Sequence, residues 1–167
     1  DLSEHGVSAL ESARIVGAGA TAASALVALA DLGARRIEVV ARRAVAVDPL
    51  RELGERLTVE VAAAPFDVHE YAAVPLTLAA LPGGVVLDDG VAESLASGGG
   101  LLYDVVYGHW PTSLARAWED GGLPAVAGIG MLLHQALLQV RAFTGGDPTR
   151  PLDDEDALLT VMRAAVA

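Results

Sequence analysis

Short apolar runs recur along the chain, and most are followed by stretches in which alanine, leucine and polar residues mix at helical spacing. Residues 14–16, 37–41, 57–63, 76–80, 101–106 and 124–127 read as strands. The third alternates between apolar and polar positions, whereas the others are apolar almost throughout. Residues 20–32, 48–56, 112–120, 131–143 and 152–165 read as helices. Gly33 is placed to close the first helix as its C-terminal glycine. Pro49 falls in the first turn of the second, where its missing N–H costs nothing. Residues 85–87 read either as a short strand or as part of the next connection. The Ser97-Gly98-Gly99-Gly100 run is a loop before a strand. Apolar strands separated by helices predict a parallel sheet covered on both faces. The expected class is therefore α/β, a doubly wound parallel sheet of the NAD(P)-binding Rossmann-like kind, over residues 13–167. Residues 1–12 are polar and have no partner element, so they read as the stub of an inter-domain connection. There is no internal repeat and no long low-complexity linker.

Composition narrows the function. Hydrophobic residues make up 53% of 167, and the mean hydropathy is +0.44. The longest apolar stretches, residues 13–30 and 123–140, are broken by glycines and polar residues. Neither is a clean span of about twenty apolar residues. No basic segment opens the chain, so nothing reads as a secretory signal. The absence of cysteine excludes disulfides, thiolate catalysis and cysteine metal sites, and it fits a cytoplasmic protein. His5, His69 and His109 have no metal-like spacing, so no metal is expected. A formal net charge of −11 argues against nucleic acid or an anionic membrane as partner. All 11 basic residues are arginine. A mechanism that needs a lysine therefore cannot run on these residues alone.

The first strand runs into Val16-Gly17-Ala18-Gly19-Ala20-Thr21-Ala22, a GxGxxA loop that opens the first helix. Gly17 permits the tight turn, and Gly19 lets the backbone approach a pyrophosphate. Ala22 allows close helix–sheet packing. An anion would then lie on the helix N-terminus, where free N–H groups and the dipole favour it. The other reading is an alanine-glycine turn chosen for packing alone. The second strand, Ile37-Glu38-Val39-Val40-Ala41, ends in Arg42-Arg43. No acid stands at its end to hold a ribose 2′-hydroxyl, and Glu38 lies too early. Arg42 can stack on adenine and bind a 2′-phosphate, and Arg43 can add a second charge. That pattern points to NADP rather than NAD. The weaker reading is a solvated arginine pair, and Arg35 and Arg36 are read in that way.

Asp104-Val105-Val106-Tyr107 followed by Trp110-Pro111-Thr112-Ser113-Leu114 resembles the DxxY-x-P-x-x-T-P-L pattern of shikimate dehydrogenases. Gly128-Ile129-Gly130-Met131-Leu132-Leu133-His134-Gln135-Ala136, then Phe143-Thr144-Gly145, resembles that family's G-x-G-M-L-x-x-Q-A…F-x-G ending. The strand-end arginine is similar to its N-R-T motif. The resemblance runs from about Arg14 to Gly145 in the expected order.

The resemblance implies reversible reduction of 3-dehydroshikimate to shikimate by NADPH, a step of the chorismate and aromatic amino-acid pathway. It places Gly17, Ala18, Gly19, Ala20 and Thr21 on the pyrophosphate and Arg42 on the 2′-phosphate, with Arg43 as a second cation. Val105 and Gly128 would line the nicotinamide site, with Met131 near the ring. Tyr107 and Gln135 would reach shikimate from one wall of a cleft. The opposite wall and the catalytic lysine and aspartate would come from an N-terminal substrate domain that this chain lacks, so the fragment alone is expected to be inactive. A homodimer is left open. Tyr107 also reads as a loop aromatic beside Trp110, Gln135 as a helix-surface residue and Met131 as core. His134 reads as structural or exposed. The chain departs from the pattern at Ala41, where Asn is common, at Arg43 in place of Thr, and at Ala46 in place of a second basic residue. His109 and Ser113 replace prolines. A quinate/shikimate-type or other two-domain NADP dehydrogenase is the alternative enzyme, and a non-catalytic NADP-binding regulatory module is the alternative of another class.

Overall fold

The computed structural model describes residues 1–67 and 70–166. His69, one of the histidines noted above, lies outside the described residues. Two compact units are present, Leu2–Ala127 and Gly128–Ala167 with Asp1. The first holds the whole sheet. Strands β1 (Ser12–Val16), β2 (Arg36–Val40), β3 (Glu60–Ala64), β4 (Leu76–Ala79), β5 (Leu101–Asp104) and β6 (Ala125–Ala127) are joined through helices α1 (Ala20–Asp31), α2 (Asp48–Leu57), α3 (Asp89–Ser97) and α4 (Ser113–Asp120). The six strands lie in the order β3-β2-β1-β4-β5-β6, with every pairing parallel. This is the doubly wound Rossmann arrangement. The chain moves one way across the sheet from β1 to β3 and the other way from β4 to β6. Right-handed crossovers therefore place α1 and α2 on one face, and α3 and α4 on the other.

The central strands bury both faces, which is why β1 and β4 are mostly apolar. Ile15, Val16, Val39, Val40, Leu76 and Ala79 are all buried. On the α3/α4 side, Val16, Val40, Ala79 and Leu102 pack with Ala92, Leu95, Leu114 and Trp118 in one cluster. The Trp118 indole N–H donates to the Gly100 carbonyl at 3.1 Å.

Several boundaries differ from the sequence pattern. The third strand was expected from residue 57, but α2 continues through Leu57 and closes at Thr58, which takes φ 59°. The strand follows that turn, and its edge position leaves it only partly covered. Residues 85–87 form no strand. Helix α3 was missed because Gly90 and two serines weaken its intrinsic propensity. Its signals were the Asp88 cap, whose carboxylate accepts from Gly90 N–H at 3.0 Å, and the buried Ala92, Leu95 and Ala96 at helical spacing. A short 3-10 turn at Ala44–Val47 was also missed. Residues 1–12 include a 3-10 turn at Leu2–His5, and Leu10 is buried. The first strand is not wholly apolar in its core. Arg14 is fully buried, and its Nε donates to Oε2 of Glu38, its register partner on β2, at 2.5 Å.

The second unit contains α5 (Ile129–Gly145) and α6 (Glu155–Val166). The Arg141 guanidinium on α5 pairs with the Glu155 carboxylate on α6, with 2.7 Å from Nε to Oε2. Among the described residues no helix is long and apolar enough to cross a membrane.

Trp118 fills the α3/α4 layer, so Trp118→Ala should destabilise the first unit by about 3–5 kcal/mol. At this chain length that is a fall in Tm of roughly 6–20 °C. Thermal melts followed by circular dichroism check it, and a shift within a degree or two would mean the layer does not depend on the indole.

Candidate functional site

The strand order reverses between β1 and β4, so the loops leaving their carboxyl ends part and open a crevice there. A cleft of about 400 Å³ occupies that position. One wall is the Gly17–Thr21 loop and the start of α1. Ala41, Arg42, Arg43 and Ala46 line it beyond β2, Phe66 beyond β3, residues 80–82 beyond β4, and Val105 beyond β5.

The glycine loop is shaped by close approach. Gly17 has φ +112°, and a Cβ added there would lie 2.7 Å from the Ala80 carbonyl oxygen. Its own N–H donates to the Val40 carbonyl at 2.9 Å, which ties the turn to the end of β2. A Cβ at Gly19 would meet nothing within 4 Å, so its absence leaves open space above the helix start. Gly19 is the N-cap of α1, and no side chain caps that end. Ala22 is fully buried beneath the first turn. The first N–H groups of α1 therefore remain available to an anion.

Arg42 and Arg43 are both exposed. Among the described residues neither side chain forms an ion pair or a hydrogen bond. Other arginines are engaged locally, as Arg51 is with Asp48 at 2.5 Å. Glu38, the nearest acid on β2, is taken up by Arg14 and does not stand at the strand end. The cleft thus carries two uncompensated guanidinium groups opposite an uncapped helix N-terminus. Arg36 has a side chain 63% exposed and lies 3.9 Å from Glu11, as a solvated surface residue does.

Beyond β5 the buried Asp104 fastens the next loop. Its carboxylate accepts from Thr112 Oγ1 at 2.8 Å and from Val106 N–H at 3.1 Å. Thr112 Oγ1 in turn accepts from Ala115 N–H at 3.1 Å and caps α4. Ser113, which stands in place of a proline, has its hydroxyl oxygen accept from Leu87 N–H at 3.2 Å. This fastening carries Val105 into the cleft lining and leaves Tyr107 57% exposed.

Gly128, Met131 and Gln135 belong to the second unit. Gly128 is buried as the N-cap of α5. Met131 is half-buried, Gln135 is exposed and His134 is half-buried. The helix starts at Ile129, two residues earlier than expected, so Gln135 lies nearly two turns into it rather than one. The cleft residues that sequence reasoning missed are Phe66, Ala80, Leu81 and Pro82. Their one available signal is position, since each lies within a few residues of a strand's carboxyl end.

Burial pushes the Asp104 carboxyl above its ordinary value, against the lowering effect of the hydrogen bonds from Thr112 and Val106. A carboxyl whose pKa is higher folded than unfolded binds more protons in the folded state. Its stabilising effect is complete below the unfolded value of about 3.9 and is lost as pH rises through the folded value. Asp104→Asn should therefore flatten the decline in Tm that this group causes above about pH 4. Melts at half-unit pH intervals check this, and a superimposable profile would contradict it.

No family model matches the chain. Individual relatives do. A shikimate dehydrogenase (NADP(+)) of Gluconobacter oxydans is 32% identical over 168 residues, which cover 98% of this chain and 59% of the relative. One from Archaeoglobus fulgidus is 33% identical over 158 residues, covering 89% and 56%. The crystal structure of Mycobacterium tuberculosis shikimate dehydrogenase superposes with a TM-score of 0.78 at 35% identity, covering 97% of this chain and 59% of that one. The chain thus spans somewhat over half the length of these relatives. In sequence and in fold the chain is similar to shikimate dehydrogenases over that part of their length, and its fold is a doubly wound Rossmann domain.

Proposed function

We propose that the cleft binds NADP(H), and that the chain is the cofactor-holding part of a shikimate dehydrogenase that reversibly reduces 3-dehydroshikimate to shikimate. The observation that carries this reading is the pair of unengaged arginines at the end of β2, facing the same cleft as the uncapped start of α1. A pyrophosphate fits over Gly17, Ala18, Gly19, Ala20 and Thr21, where the first N–H groups of α1 are free and Gly19 leaves open space. The 2′-phosphate suits Arg42 and Arg43, since guanidinium forks match phosphate oxygens. The names of the relatives carry the same cofactor.

In this reading the nicotinamide accepts or donates the hydride, and the protein's part is to hold it. Val105, Gly128 and Met131 serve that end, and Tyr107 and Gln135 serve shikimate. The proton on the substrate oxygen falls to a lysine in the family resemblance, and these 167 residues contain none.

Arg42→Ala removes a charge-assisted contact of about 1.5–3 kcal/mol. NADP binding should weaken by about ten- to a hundredfold, at about 1.4 kcal/mol per decade, with little change for NAD. Titration calorimetry decides, and equal affinity of the unaltered chain for both cofactors would count against the phosphate assignment.

The 167-residue chain alone should hold NADP without oxidising shikimate. Tyr107 is a poor general base, because a phenol's reference pKa is about 10. General acid–base help is worth about 10²–10⁴-fold, and it would be missing. Reduced-cofactor absorbance with both ligands present is the readout. Turnover near that of a full-length relative would overturn the division of roles.

A further inference from the structure

Phe66 is the first aromatic residue beyond the edge strand β3. It is half-buried, packs on the core cluster that contains Val16, Val40 and Ala79, and lines the cleft together with Arg42, Arg43 and Ala46. Nothing in the strand ladder holds this segment, because β3 ends at Ala64. Its anchor is Tyr71, which is 3% exposed. The Tyr71 hydroxyl donates to the Pro65 carbonyl at 2.8 Å and accepts from Asp67 N–H at 3.4 Å. Tyr71 thus grips the residues on either side of Phe66.

Tyr71 has an anchor of its own. Its ring lies 4.8 Å below the Arg14 guanidinium carbon. Arg14 is pinned to Glu38 and donates from Nη2 to the Ala72 carbonyl at 2.5 Å. Its Nη1 has no hydrogen-bond partner among the described residues. A buried guanidinium with an unpaired N–H is a costly way to hold a sheet together, since packed apolar side chains do so without desolvating a charge. It is a direct way to fix the ring over which it sits. Burial also pushes the Tyr71 phenol above its ordinary value, against the lowering effect of the Asp67 backbone hydrogen bond.

We propose that Tyr71 is a positioning residue for the cofactor cleft: fixed on the buried Arg14–Glu38 pair, it holds residues 65–67 so that Phe66 walls the adenine end beside Arg42 and Arg43. This rests on the NADP reading, because the arginines mark which end of the dinucleotide lies there. The 2′-phosphate and the adenine share one ribose. A flat apolar ring beside two cations suits a flat aromatic base and offers nothing to a phosphate. Among the described residues that line the cleft, Phe66 is the one aromatic.

The test uses the 167-residue chain and two probes, NADP and adenosine 2′,5′-bisphosphate, which keeps the adenine end alone. Tyr71→Phe removes the hydroxyl and leaves the ring over Arg14. Its affinity for both probes should fall by about three- to tenfold, the scale of one hydrogen-bonded anchor. Phe66→Leu should cost a similar factor on both probes. In the double variant the losses should not multiply, because Tyr71 acts through Phe66. If Tyr71→Phe does not fold, Phe66→Leu and Phe66→Tyr carry the test, with Tyr retaining affinity that Leu loses. Unchanged affinity of Tyr71→Phe or of Phe66→Leu for the bisphosphate, or losses that multiply, would overturn the positioning role while the unaltered chain still binds NADP. An unaltered chain that binds neither probe would overturn the cofactor reading, and this inference with it.

Discussion

Gly17 leaves β1 between the ends of β2 and β4, and the carbonyl of Ala80 stands 2.7 Å from where its side chain would begin. The space there admits a hydrogen atom and nothing larger. Because the turn is that tight, the chain reverses into α1 within three residues and the helix start arrives at the sheet's carboxyl edge. Ala22 then seats the first turn against the strands. The uncapped N–H groups, the open space above Gly19 and the position of the cleft all depend on this approach. A side chain at Gly17 would strain the backbone at φ +112° and push apart the two strands that define the crevice.

Arginine serves opposite ends in this molecule. Arg14 is buried, paired with its register partner and packed on an aromatic ring. Arg42 and Arg43 are exposed, and their side chains are engaged by nothing among the described residues. The chain carries a net charge of −11, so a polyanion meets a repulsive surface almost everywhere. A local pair of cations beside a helix N-terminus is what would make one crevice attractive. The pairing of Glu38 with Arg14 keeps the acid of β2 away from the strand end.

The parts of this arrangement that sequence made legible are those set by local chemistry. The GxGxxA turn, the strand-end arginines and the Asp104 to Leu114 segment each combine residue type with position after a strand, and each lies where that logic puts it. The doubly wound parallel class also followed, because mostly apolar strands separated by helices leave few topologies open. What stayed hidden depends on tertiary contact. Helix α3 is carried by Ala92, Leu95 and Ala96 against the sheet more than by its own propensity. Arg14 looked like an ordinary strand residue, because nothing nearby in sequence announces a partner 24 positions away. Phe66 and Tyr71 meet the cleft through a loop whose course no period describes. Tyr107 and Gln135 were legible as a resemblance, and their exposure is compatible with either a ligand or a surface role.

The central claim is that one anion path runs from the start of α1 to the end of β2. A crystal structure of the chain soaked with NADP tests it most directly. The account predicts density for the pyrophosphate over Gly17–Thr21 and for the 2′-phosphate within hydrogen-bonding distance of Arg42 or Arg43. A nucleotide bound elsewhere, or a 2′-phosphate turned to solvent with both guanidinium groups unengaged, would contradict it.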